Sequence, residues 1–318
     1  MAALLAGVAD EREKTGAWMR RFGVFGDFPT RLLRGGLLVA PWFLEPFLIA
    51  LWTLLFFAMA GEQRRAVRGN LSALLPGSGR IANFLRSYRV FLEFAFTYVD
   101  AVRCEKAGGK VDWAIDGVEN FKDLAARREG CLIVTAHMGN YDLAAPVFSG
   151  EFGRTVHAVR APERDPDMQK LREEELRRWE SRHPGFRTHY NRPGEMLGVE
   201  LARILAGGDV VAVQADRVMF DVSFVEVGIG GGWLWRLPRG PMVLAQATGA
   251  PCFPLFITRD GLRRYRVCVM PELKLPNRRR GGGDEGLRIW TDTLLAVVRG
   301  NWPQWFVFEP VFRKEDEA

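Results

Sequence analysis

The chain predicts an α/β fold, with a central mostly parallel or mixed sheet flanked by helices and a hydrophobic helical anchor at its amino-terminal end. Three observations lead there. Short apolar runs rich in β-branched residues alternate with helical patterns from Val111 onward. Residues 37–60 form a long apolar stretch with a single charge, Glu45. Polar residues stand directly after several of the apolar runs, where open α/β sheets place their sites. With 318 residues, 48% of them hydrophobic and 26% charged, the chain can bury a full core, and wholesale disorder is excluded. We expect a membrane-associating helical region over residues 1–105 and a catalytic α/β domain over residues 106–318.

Taken in order, residues 1–36 are basic and punctuated by glycine, without a cleavable-signal pattern. Residues 37–60 approach the length of a spanning helix, about 20 apolar residues. Glu45 at mid-membrane would cost roughly 2.5–3.5 kcal/mol, and Pro41 and Pro46 interrupt the helix around it. Arginines flank both ends, so charge gives no orientation. A hairpin or in-plane anchor fits better than a span, and a buried helix of a soluble core is the alternative. Residues 62–76 and 79–103 read as helices. In the second, Ile81, Phe84, Leu85, Tyr88, Phe91, Leu92, Ala95 and Val99 recur at helical spacing, and Phe94 and Phe96 widen the stripe toward lipid or an acyl chain.

Strands are expected at residues 132–134, 156–159, 209–214, 253–257, 265–270 and 305–308, and helices at 163–180, 195–206, 241–248 and 284–299. The glycines from Gly228 to Gly232 lack a phosphate-loop lysine and read as a loop. The Arg278–Arg280 run before three glycines reads as a loop; with Arg263, Arg264 and Arg266 it fits a solvated surface best, with docking of an acidic carrier protein as the alternative. Cys104, Cys131, Cys252 and Cys268 are scattered, with no histidine at ligand spacing. We expect no zinc site and a reducing compartment. The net charge of +6 suits nucleic acid, anionic lipid or an acidic protein. Ten tryptophans tilt the choice toward lipid, and no nucleic-acid reader motif interleaves the basic residues.

The chemistry concentrates in His137-Met138-Gly139-Asn140-Tyr141-Asp142, immediately after the apolar strand. A histidine at a strand's carboxyl end can take a proton from a hydroxyl, and an acid beside it can orient the ring and stabilise the imidazolium. Asp142 is the expected acid, with Asn140 as the cap of the following helix. Arg160, Asp216 and Arg217 also follow strands and are expected to bind substrate, together with Asn140. No Gly-x-Ser-x-Gly elbow is present, so direct attack of an acceptor hydroxyl on a thioester fits better than a covalent acyl-enzyme.

An ordered set of motifs then resembles a known family, the lipid A biosynthesis lauroyl/myristoyl acyltransferases. It runs from Arg65-x4-Asn70-Leu71 and Leu75-Pro76 through the histidine block to Arg160-Ala161-Pro162. It continues with Gly208-Asp209, Gln214-Ala215-Asp216-Arg217, Pro238-Arg239-Gly240-Pro241 and Ala245-x2-Thr248-Gly249-Ala250-Pro251, and closes on Trp302-Pro303-Gln304-Trp305. The resemblance implies a glycerolipid-acyltransferase-like fold. It also implies transfer of a fatty acyl chain from acyl carrier protein or coenzyme A to a lipid or glycolipid hydroxyl at the bacterial inner membrane, on the cytoplasmic side. His137 would be the general base and Asp142 its partner, with Asp216 contacting the histidine or the acceptor. No cofactor, metal or nucleic acid is implied beyond the acyl thioester. Two departures, Asp142 where many such enzymes carry glutamate and the end Phe306-Val307-Phe308-Glu309-Pro310-Val311-Phe312-Arg313 where theirs is basic, put a highly anionic lipid A precursor in doubt. A lipid hydrolase and a non-catalytic lipid or carrier-protein binding module are the competing functions.

Overall fold

The computed structural model describes residues 43–104, 110–163, 166–192, 194–219, 222–276 and 283–317, together with Gly35. The Arg278–Arg280 run and residues 37–42 of the apolar segment lie outside the described residues. One compact unit comprises Glu62–Pro162 and Leu176–Ala318; the first described helix and Glu163–Glu175 belong to a second.

The helix of the second unit, α1 (Glu45–Met59), is a 15-residue run beginning with proline in its first turn. At 1.5 Å per residue it extends about 22 Å, short of the roughly 30 Å of a bilayer core. Phe47, Leu51, Leu54, Leu55 and Met59 are exposed, while Glu45, Ile49, Thr53 and Phe57 repeat every fourth residue on a buried face. Among the described residues no single helix is long and apolar enough to cross a membrane. Where composition led us to expect a hydrophobic anchor, the described residues form an apolar helix with exposed side chains and show no clear anchor.

The sheet-bearing unit opens with α2 (Gly61–Leu74) and α3 (Arg80–Cys104). It continues with β1 (Asp112–Asp116), α4 (Val118–Ala126), β2 (Cys131–Thr135), α5 (Tyr141–Phe148) and β3 (Val156–Arg160). After α6 (Pro166–Arg182), whose residues up to Glu175 belong to the second unit, come β4 (Phe186–Tyr190), α7 (Leu197–Ala206), β5 (Val210–Gln214), β6 (Phe224–Gly230), β7 (Trp233–Pro238) and α8 (Gly240–Thr248). The hairpin β8 (Cys252–Gly261) and β9 (Arg264–Val269), α9 (Gly283–Gly300) and β10 (Phe312–Lys314) complete it.

Seven strands form one sheet in the order β1-β9-β8-β2-β5-β3-β4, and β10-β7-β6 form a small antiparallel sheet. From β8 to β4 all neighbours are parallel; only the β8–β9 hairpin reverses direction. β2 is central and buried along its whole length, as a strand covered on both faces must be. Its alternating side chains feed two cores. Leu132 and Val134 pack with Leu201, Leu205, Leu244, Trp290 and Leu294 from α7, α8 and α9. Cys131 and Ile133 pack with Leu124, Phe121, Phe148 and Phe152 on the other face. The expected central sheet, mostly parallel and flanked by helices, is therefore present.

Two local expectations differ. The glycine-rich loop is a hairpin, with Gly228 and Gly230 inside β6 and Gly231 and Gly232 turning it at positive φ. Residues 305–308, expected as a last strand, make only an isolated bridge from Trp305 to Met138. Their backbone is engaged elsewhere: Phe306 N–H donates to the His137 carbonyl at 2.7 Å, and the Val307 carbonyl accepts from the Asn70 amide.

Candidate active site

The site forms where β2 and β5 end. These strands run parallel and in register, with Thr135 opposite Gln214. Each is followed by one alanine and then a polar residue: Ala136-His137 after β2, and Ala215-Asp216 after β5. The Ala215 N–H donates to the Thr135 carbonyl at 2.9 Å and carries the register one step beyond the ladder. Register thus brings together two residues that are 79 positions apart in sequence.

Asp216 is fully buried and holds His137 with both oxygens. Oδ1 lies 2.7 Å from His137 Nδ1, and Oδ2 accepts the His137 backbone N–H at 3.0 Å. Oδ2 also accepts the Trp305 indole N–H at 2.8 Å. Two further indoles fix the backbone beneath: Trp235 donates to the Asp216 carbonyl at 3.1 Å and Trp290 to the Ala215 carbonyl at 2.9 Å. Burial pushes the Asp216 carboxyl up. The facing imidazole charge and the donors from His137 and Trp305 outweigh it, and hold the group below the ordinary carboxylate range. In the neutral ring, an ionised acceptor at Nδ1 keeps the proton on that nitrogen and leaves Nε2 its lone pair. Among the described residues no hydrogen bond is made by Nε2, and the ring retains 13% exposure.

This corrects the expectation for Asp142. Its carboxylate sits in the first turn of α5 and forms an ion pair with Arg160, the last residue of β3, while Asp216 takes the ring nitrogen. The physical reason is direction: the chain turns between His137 and α5, so the helix carries Asp142 toward β3. Asn140 occupies the cap position of α5 but makes no side-chain cap; its amide donates to the Thr97 carbonyl of α3 at 3.3 Å. Arg217 is ion-paired with Glu309, so neither its guanidinium nor that acidic departure stands alone. Of the expected site residues, the structure brings His137 and Asp216 together, couples Arg160 to Asp142, and turns Asn140 toward α3.

The turn itself has a glycine requirement. Gly139 has φ +53°, and a Cβ there would fall 2.4 Å from the Ile257 carbonyl oxygen. The closing Trp-Pro-Gln-Trp motif grips the same turn. The Gln304 carbonyl accepts the Gly139 N–H at 3.2 Å, and its side-chain amide donates to the Arg259 carbonyl at 2.8 Å. Asn70, buried in α2, donates to the Glu309 carbonyl at 2.9 Å and accepts the Val311 N–H at 3.3 Å. Sequence reasoning did not assign Trp305 or Asn70 a part in the site. Their membership in the ordered motif set was the available signal.

The surroundings of the histidine are aromatic. The Tyr141 ring stands edge-on to the imidazole at 5.4 Å, and Phe306 follows the tryptophan that holds Asp216. Phe94 of α3 packs edge-on against Phe306 and Phe308, at 5.4 and 5.2 Å. Phe96 instead lies under the Arg259 guanidinium. Among the described residues no group of three or more histidines, cysteines or carboxylates is arranged to hold a metal ion. The arrangement supplies an oriented base with the Tyr141 ring edge-on to it, which suits proton removal from a hydroxyl.

No curated protein matches the chain at a significant level. The model of one family, bacterial lipid A biosynthesis acyltransferase, matches residues 37–314, and the chain belongs to that family.

Proposed function

We propose that the protein is a membrane-associated O-acyltransferase that moves a fatty acyl chain from an acyl carrier protein or coenzyme A thioester to a hydroxyl of a lipid or glycolipid acceptor. Family membership makes it an acyltransferase of the lipid A type in general. The observation that carries the finer reading is the 2.7 Å contact between Asp216 and His137 Nδ1, which leaves Nε2 as the proton acceptor. In this reading His137 Nε2 takes the acceptor's proton as its oxygen attacks the thioester carbonyl. The C–O bond forms, the C–S bond breaks, and the imidazolium returns the proton to the leaving thiolate. Asp216 stabilises the imidazolium between those two transfers. The cluster of Phe94, Phe306 and Phe308, just after the tryptophan that binds Asp216, is assigned to the acyl chain in this reading. In this reading Arg160, paired with Asp142, and Arg217, paired with Glu309, are assigned to substrate positioning.

Membrane association at the cytoplasmic face of a bacterial inner membrane is part of the same reading. It is supported by the exposed apolar side chains of α1. The test is transfer of labelled acyl chain to lipid by purified protein. His137→Ala should lower the rate by roughly 10²–10⁴-fold through loss of base catalysis. Unchanged transfer in a folded His137→Ala protein sinks the mechanism, and release of free fatty acid without dependence on acceptor replaces transfer by hydrolysis.

A further inference from the structure

The α2–α3 hairpin carries a cleft of about 320 Å³ lined by Arg65, Arg68, Gly69, Ser72, Arg80 and Asn83. None of these is acidic. Among the described residues neither Arg65 nor Arg80 has an ion-pair partner, and Arg68 only rests its guanidinium 5.9 Å over the Phe84 ring. The floor is built: Asn83 is buried, donates to Ser72 Oγ at 3.1 Å and accepts from Arg86 at 3.2 Å, which fixes α3 against α2. Beside the cleft, Ile81, Phe84 and Leu85 of α3 are 79%, 41% and 63% exposed. Their spacing places all three on one helix face.

We propose that this hairpin is a docking surface for an anionic phospholipid bilayer, with the arginine cleft receiving a headgroup phosphate and Ile81, Phe84 and Leu85 entering the interface. An apolar helical face rimmed by arginines is the composition of an interfacial helix. Each arginine near an anionic surface adds attraction that salt weakens. Chain continuity favours a bilayer over an acidic protein as the occupant: α2 begins at Gly61, two residues after α1 ends at Met59 with its exposed apolar side chains. The inference rests on the membrane association proposed above and names the surface that performs it.

The test is co-sedimentation of the full chain with vesicles of phosphatidylglycerol mixed into phosphatidylcholine, and with phosphatidylcholine alone. Wild-type protein should prefer the anionic vesicles, and the triple variant Arg65→Glu, Arg68→Glu, Arg80→Glu should bind them at least tenfold more weakly at low salt. Ile81→Asp with Leu85→Asp should weaken both kinds of binding. A triple Arg→Gln variant with an unchanged thermal midpoint separates charge from folding. Wild-type protein that binds neither vesicle defeats the membrane reading itself. Wild-type binding that survives charge reversal overturns only the assignment to this hairpin. Vesicle binding that survives while the rate with acyl carrier protein as donor alone collapses makes the surface a protein dock and equally overturns it.

Discussion

Asp142 stands five residues after His137 and Asp216 stands 79 after it, yet the ring is held by the distant residue. The two carboxylates differ in setting as well as role. Asp216 has no solvent exposure and three donors on its two oxygens, from the imidazole, the backbone of the same histidine and an indole. Asp142 is 32% exposed and paired with a guanidinium. A buried carboxylate held by three donors has one geometry, which base catalysis requires of an orienting group. A half-exposed ion pair tolerates rearrangement and is worth less. The lesson is that strand register, and not spacing along the chain, decides which acid serves the histidine.

The largest effect that bears on this comparison is expected from Asp216→Asn. The substitution keeps shape but removes the charge that faces the imidazolium, and an amide NH₂ turned toward Nδ1 would impose the wrong tautomer. Turnover should fall by roughly 10²–10⁴-fold, close to the loss for His137→Ala. The double variant should be little worse than either alone, because the two act as a unit. Additive losses in initial-rate measurements would break the pair apart.

Next in size is Trp305→Phe, which leaves the ring in place but deletes the donor to Asp216 Oδ2. Hydrogen bonds to charged groups contribute about 1.5–3 kcal/mol, so kcat should drop about tenfold or more while KM for the thioester holds. A change in KM alone would assign Trp305 to substrate packing. Smaller still is Asp142→Asn, for which we expect a loss below about tenfold, since a half-buried ion pair contributes on the order of 1 kcal/mol. If Asp142→Asn proves as damaging as Asp216→Asn in the same assay, the comparison is reversed.

Much of the architecture was legible. The run Cys131–Val134 reads as a buried strand and is one, and the helical stripe in residues 79–103 corresponds to α3. The histidine, and the strand end on which it stands, were readable for the same reason. The equivalence of the segments CLIVTAH and VVAVQAD, each five strand residues, one alanine and one polar residue, was also visible. It becomes informative only once β2 and β5 are known to be neighbours, and pairing between parallel strands leaves no local mark. Trp305 misled for a different reason. Apolar residues 305–308 satisfy a strand pattern, but their backbone bonds go to the His137 turn and to Asn70, contacts made over 230 residues in the latter case. The β6–β7 hairpin was hidden by its glycines, which lower strand propensity while supplying the positive φ of the turn.

A third carboxylate sharpens the comparison at the level of stability. Asp100 on α3 is as fully buried as Asp216, but its Oδ2 accepts one side-chain hydrogen bond, from the Tyr265 hydroxyl at 2.8 Å, and its Oδ1 has no hydrogen-bond partner among the described residues. Burial therefore prevails over the Tyr265 hydrogen bond and the neighbouring arginines, and raises the Asp100 carboxyl from its ordinary 3.8 to about 6. A folded-state value above the unfolded one means that the folded chain keeps a proton the unfolded chain has lost. Stability from this group is complete below 3.8 and declines as pH rises to about 6, by up to roughly 3 kcal/mol at 1.36 kcal/mol per unit. Asp216 has the opposite sign, its contribution being lost as pH falls below the ordinary carboxylate range. Asp100→Asn substitutes a permanently neutral side chain for the protonated acid. It should flatten the decline between pH 4 and pH 6.5 in urea unfolding, and leave the variant at least as stable as wild type at pH 7.5. A wild-type stability that rises across that window, or a variant that follows the same slope, would show that Asp100 is ionised in the fold and that one tyrosine hydroxyl is enough to hold a buried charge.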